Sequence, residues 1–149
     1  MPFPDTAAHA TQIIAAIEQL LPEYLADAAD RTVANGNLGV CIIDETGRVF
    51  GAMSGPDQNR KRQSFRVAWT KASQVWITGM KTGEYEKAVY GGQVEESKFG
   101  IARPDLIGWE GGQPFTLRDG RRLSVGVSGL RGVSDLAIAT RAMQQLHLA

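Results

Sequence analysis

The chain has 149 residues, 43% hydrophobic and 21% charged, a balance that suits one domain spanning 1–149 and excludes two full domains or a disulfide-built miniature. With 16 Lys and Arg against 16 Asp and Glu the formal charge is zero, which removes the general electrostatic case for a nucleic-acid partner. One cysteine excludes an internal disulfide and fits a reducing compartment. No Lys or Arg precedes Arg31, and Asp5, Glu18, Glu23, Asp27 and Asp30 make the start acidic, the reverse of an export signal. The apolar runs are far shorter than the roughly 20 residues that cross a bilayer, so a cytoplasmic protein with no membrane partner is expected.

Ile13, Ile17, Leu20 and Leu21 recur at helical spacing and predict an amphipathic helix from Thr6 to Leu21. Pro22 disfavours helical geometry at Leu21 and suits the first turn of a second helix running to Ala34. Asn35-Gly36-Asn37 is a stop signal. Leu38–Asp44 then reads as a buried strand, Glu45-Thr46-Gly47 as a turn and Arg48–Met53 as the return strand. A long helix, Lys61–Lys81, follows, with Phe65, Trp69, Ala72, Trp76 and Met80 as its apolar stripe, which places Trp69 and Trp76 in the core. Between Gln58 and Gly83 stand Arg60, Lys61, Arg62, Arg66, Lys71 and Lys81, with no acid among them.

A short helix at Glu84–Val89 precedes an irregular stretch from Gly91-Gly92 to Gly112. Phe115 and Leu117 alternate with Thr116 and Arg118 before Asp119-Gly120, a strong hairpin turn. On the return strand Leu123, Val125 and Val127 point one way, Ser124 and Gly126 the other. Ser134 reads as the N-cap of a final helix with Leu136, Ala139, Met143 and Leu146 inward. Two hairpins with helices on one face make an α+β fold.

The segment Gly126–Gly132 lies between a strand and a helix, where glycines admit a ligand and free N–H groups favour an anion. The same glycines also serve a tight turn. The segment lacks the G-x-G-x-x-G order and the lysine of a P-loop. Leu130 stands where a nucleophile elbow around Ser128 needs glycine, and His9 and His147 lie near opposite ends of the chain. No His or Cys spacing suggests a metal site, and Cys41 reads as a small buried hydrophobe.

Arg62 and Arg66 share a helix face with Thr70 and Ser73, which is either solvated or a carboxylate site. Trp109, between Gly108 and Gly111-Gly112, is a candidate pocket wall. The candidate ligand-binding set is therefore Arg66, Trp109, Gly111, Gly112, Gly126, Ser128, Gly129 and Arg131. Glycine at 126 and 129 leaves room beside the backbone, so Gly129→Val is expected to fill the ligand space in a folded protein. If the protein is an enzyme, Arg66 or Arg131 holds a carboxylate while Lys71 or Asp135 moves protons.

The hairpin from Leu38 to Gly47, the segment Ala68-Trp69-Thr70-Lys71-Ala72, Gly111-Gly112-Gln113-Pro114, the Asp119-Gly120 turn, Gly126-Val127-Ser128-Gly129 and Asp135 fall in an order that resembles the GlcG/HbpS family. These are haem-binding or haem-degrading domains, similar also to the C-terminal part of PduO corrinoid proteins. The resemblance runs from about Pro22 to the C-terminus, leaving the helix at about 6–21 as an addition. It implies a profilin-like domain with a central antiparallel sheet, assembly into homo-oligomers, and haem, a corrinoid or a small organic acid as ligand. It carries over no axial haem ligand. Two readings follow: a small-molecule-binding protein, or a cofactor-independent catabolic enzyme acting on a carboxylated small molecule.

Overall fold

The computed structural model describes residues 6–149, so Asp5 and the start of the expected 1–149 domain lie outside the described residues. In chain order the elements are α1 (Thr6–Leu25), α2 (Ala28–Ala34), β1 (Leu38–Asp44), β2 (Val49–Ser54), α3 (Gln58–Thr78), α4 (Thr82–Tyr90), a 3₁₀ turn (Glu96–Phe99), β3 (Gly112–Thr116), β4 (Arg122–Ser128) and α5 (Gly132–Gln145). The strands form one antiparallel sheet in the order β2-β1-β4-β3. The α+β class expected from the sequence is what the chain adopts.

The first break in helical structure falls beyond Pro22, which stays inside α1 on its exposed side. The new start is set by Asp27, whose carboxylate accepts from the N–H groups of Ala29 and Asp30 and so satisfies two of the free donors of α2.

Alternation along the central strands sends side chains to both sides of the sheet, and helices cover both sides rather than one. Leu38, Val40 and Ile42 of β1 and Leu123, Val125 and Val127 of β4 join Ile13, Ile17, Ile138 and Met143 of α1 and α5 in the main core. On the opposite face Cys41 and Ile43 meet Ala68 and Ala72 of α3.

The contact of α3 with the sheet is unusually close, and glycine makes it so. A Cβ at Gly126 would collide with the Ala68 carbonyl, and one at Gly39 with the Phe65 backbone. The apolar stripe of α3 is accordingly turned by about one residue from the predicted one. Ala68, Lys71, Ala72, Gln74 and Val75 are buried, whereas Trp69 and Trp76 are 48% and 45% exposed. Indole rings have no space where the helix backbone rests on strand glycines; small alanines do.

In the last helix Ala139, Met143 and Leu146 face the main core as expected, while Leu136 does not. The helix starts at Gly132, with Arg131 rather than Ser134 at the cap position, and also buries Ser134, Asp135, Ile138 and Ala142. Gly126→Ala is expected to destabilise the fold by about 1–3 kcal/mol or more, because overpacking against backbone has no side chain that can yield. Urea unfolding measures it, and an unchanged midpoint would contradict the close helix–sheet contact.

Candidate functional site

The packing of α3 carries one charged residue deep into the protein. Lys71 is 2% exposed, and its ammonium donates to the Val127 carbonyl at 2.9 Å and to Asp135 Oδ2 at 3.4 Å. The other oxygen of Asp135 accepts from the Leu130 N–H at 3.0 Å. Room for the ammonium comes from Gly111, where a Cβ would lie 2.7 Å from Lys71 Nζ and would clash with the Val127 carbonyl. Gly111 holds φ +127°, a conformation that favours glycine on its own account.

Burial is the largest influence on both members of the pair, and it disfavours charge on each. It pushes the Asp135 carboxyl up to about 7 against the pull of Lys71 and the Leu130 N–H. It pushes the Lys71 ammonium down, with Asp135 opposing. Burial thus draws both groups toward their neutral forms.

Above the pair lies a groove of about 370 Å³, lined on one side by Arg60, Gln63, Ser64, Val67 and Lys71. These residues recur at helical spacing along one face of α3. The facing side is formed by Trp109, Glu110 and the Ser128–Leu130 segment, with Asp135 at the floor. Two polar side chains fix the Trp109 wall. Gln74 donates to the Ile107 carbonyl at 2.8 Å and accepts from its N–H at 3.0 Å, and Thr82 donates its hydroxyl to the Trp109 carbonyl at 2.6 Å.

Of the residues singled out in the sequence, Lys71, Asp135, Trp109, Ser128 and Gly129 line this groove, and Gly111 shapes its floor. Gly112 and Gly126 sit where strands meet helices: a Cβ at Gly112 would lie 2.6 Å from Thr82 Cγ2. At Gly129, with φ +143°, a Cβ would lie 2.5 Å from the Asn37 carbonyl oxygen. The Gly129→Val change therefore strains the backbone instead of filling ligand space, which corrects the expectation of a folded variant.

Arg66 is exposed and outside the groove lining; Arg60 is the arginine of α3 that faces it. Arg131 turns away to α2, where its backbone N–H and its Nε each reach Asp30 Oδ1 at 3.0 Å. Asp30, 1% exposed, also accepts from the Ser134 hydroxyl at 2.6 Å. Burial works against its charge, but the hydrogen bonds from Arg131 and Ser134 prevail and hold its carboxyl below the ordinary value. Sequence reasoning missed Arg60, Gln74, Thr82 and Glu110. Only the i, i+4, i+7, i+11 relation of Arg60, Ser64, Val67 and Lys71 signalled a shared face.

The donor set does not suit side-chain ligation of a haem iron. Among the described residues no His, Cys, Met or Tyr lines the groove, and the one amine there is held by Val127 and Asp135. His9 Nδ1 lies 3.0 Å from the Arg121 guanidinium, and His147 follows the end of α5. Cys41 is buried under α3, which pushes its thiol up to about 12. Among the described residues no group of three or more His, Cys, Asp or Glu could hold a metal ion.

The family model for haem-degrading protein HbpS-like matches residues 6–144 of the chain. Among solved structures, Klebsiella pneumoniae protein ORFY is similar at 22% identity and TM-score 0.69, with 97% of this chain and 94% of that one covered. HbpS is similar at 18% identity and TM-score 0.61, over 98% of this chain and 92% of that one. A PduOC–haem complex shows 21% identity and TM-score 0.61, over 91% and 94%. These likenesses confirm the fold. No curated protein sequence matches the chain significantly.

Removing one member of the buried pair leaves the other unmatched, so Lys71→Met and Asp135→Leu are each expected to cost about 3–5 kcal/mol. The double substitution is expected to cost less than the sum, as urea unfolding of the four proteins would show. The Asp135 carboxyl is expected to titrate near 7 by carbon-13 NMR rather than at its ordinary 3.8. Because its folded value lies above its unfolded one, the stabilisation from this carboxyl is complete below pH 3.8 and is lost as pH rises through about 7.

Proposed function

The chain belongs to the HbpS-like family, and from that premise we propose that it is a small-molecule-binding protein whose ligand is an elongated organic anion lying along α3 in the Lys71 groove. The observation that carries this reading is that the buried Lys71–Asp135 pair belongs to the lining of this groove. Arg60 and Lys71 are the cations of the lining. They stand eleven residues apart, about 16 Å along the helix axis at ~1.5 Å per residue, so they address opposite ends of a ligand. Among the described residues Arg60 has no carboxylate partner; one of its terminal nitrogens donates to the Val33 carbonyl at 2.8 Å. Val33, Val67 and Trp109 supply the apolar length between the ends.

The names of similar proteins point to haem as another ligand. The donor set argues that hemin, where taken up, is not ligated by His9 or His147. The catalytic reading is favoured by one feature, the opposed influence of burial on Lys71 and Asp135, which suits proton transfer to a bound acid.

Self-association is part of the proposal. Strand β2 is a sheet edge, and its exposed Val49 and Met53 share the α3 side with exposed Trp69, Trp76 and Ile77. An apolar edge of this kind favours coverage by another copy.

Calorimetric titration with octanoate is expected to show binding that weakens about tenfold or more in Arg60→Ala, as loss of a charge-assisted bond worth ~1.5–3 kcal/mol implies. Arg66→Ala is expected to leave it unchanged. Equal binding by both variants and the parent would place the ligand elsewhere. A hemin titration is expected to give the same spectrum with His9 and His147 both replaced by alanine. Light scattering at micromolar concentration is expected to show an oligomer, with Trp76→Glu shifting it toward monomer; a monomeric parent would refute the self-association.

A further inference from the structure

Lys71 is the single lysine of the groove lining. A lysine kept only as packing for an internal ion pair has no need of an opening above it, and a lysine kept only to attract anions gains nothing from a carboxylate partner. Lys71, 2% exposed, lies on the groove lining and has the carboxylate partner, together with a carbonyl acceptor at 2.9 Å that fixes its amine in place. Gly111 reserves the space around that amine at the cost of a positive φ. We infer that Lys71 is a nucleophile that captures a carbonyl ligand as an imine, with Asp135 as its proton partner and an oxo acid as the ligand class. The inference rests on the reading of the groove as an organic-anion site.

The step balances within the groove. The Lys71 ammonium first gives a proton to the Asp135 carboxylate, 3.4 Å away. The free amine pair attacks the ligand carbonyl carbon, and the C=O π pair moves to oxygen. Asp135 returns its proton to that oxygen, then takes a further proton from the nitrogen and passes it to the resulting hydroxyl, which departs as water and leaves a protonated C=N bond to Lys71 beside the Asp135 carboxylate. No oxidant, reductant or metal is required. The surroundings favour the first transfer, since burial disfavours charge on both partners. The acid group lies toward Arg60, at the far end of the groove. An aldehyde or ketone separated from its carboxylate by an apolar chain therefore matches the lining better than a compact 2-oxo acid.

The test compares suberic semialdehyde with octanoate on the intact protein, following binding by calorimetry and covalent capture by borohydride reduction with peptide mass spectrometry. The expected result is a reduced adduct of the semialdehyde on Lys71, with the surface residues Lys81, Lys87 and Lys98 modified at least tenfold less. Asp135→Asn, checked for folding by circular dichroism, is expected to slow capture at least tenfold, and Asp135→Glu to restore part of the rate. If both compounds bind alike and Lys71 stays unmodified, or if the adducts spread over the surface lysines, the imine is refuted while the binding reading stands. If neither compound binds, the groove reading itself is refuted, and the imine with it.

Discussion

The approach of α3 to strands β1 and β4 is the constraint on which the rest of the molecule depends. Gly39 and Gly126 remove the side chains that would otherwise hold the helix at ordinary helix–sheet distance, and Ala68 and Ala72 present the smallest matching surface. Once the helix rests on backbone, its orientation is no longer a matter of hydrophobicity alone. The face that must point down is the one with alanines, and Lys71 and Gln74 go down with them. The same rotation turns Trp69 and Trp76 outward beside the β2 edge. A candidate ligand floor and a candidate self-association surface thus arise from one packing decision.

Carrying Lys71 inward requires compensation, and the sequence supplies it from distant positions. Val127 offers a carbonyl, Asp135 a carboxylate, and Gly111 the space. Gln74 forms a two-way hydrogen bond with Ile107, a backbone-like pairing that anchors a loop without a strand. Replacing the buried pair by apolar residues of similar size is often neutral or favourable for stability, so stability alone does not explain an ion pair at this depth. The proposed binding role in the groove offers an explanation.

The elements were legible in the sequence because hydrophobic spacing and turn residues act locally. Leu38–Asp44 and the Asp119-Gly120 turn lie where those signals put them, and Leu123, Val125 and Val127 share the face that alternation predicts. The rotation of α3 was not legible, because it is chosen by the partner surface. A tryptophan stripe offers far more apolar area than an alanine stripe, and nothing local to α3 records that the facing strands carry glycine. Pro22 misled for a related reason, since a proline on the exposed side of a helix leaves its packing face intact. Lys71 and Asp135 were legible as proton-moving candidates; that they touch, from positions 64 residues apart, belongs to the fold.

The loop before α5 shows how a motif can be read correctly in kind and wrongly in occupant. Gly126–Gly132 does present backbone N–H groups at a helix start, where negative charge is stabilised. The anions that meet them are the protein's own: Asp135 takes the Leu130 N–H, and Asp30 takes that of Arg131. Those two donors are therefore occupied by the protein itself. The Arg60 guanidinium of α3 has no carboxylate partner among the described residues, and Trp109 lines the same groove. Under the proposed reading, recognition falls to the groove residues and not to these two N–H groups. Asp135 in turn holds the loop with one oxygen while the other faces the Lys71 amine.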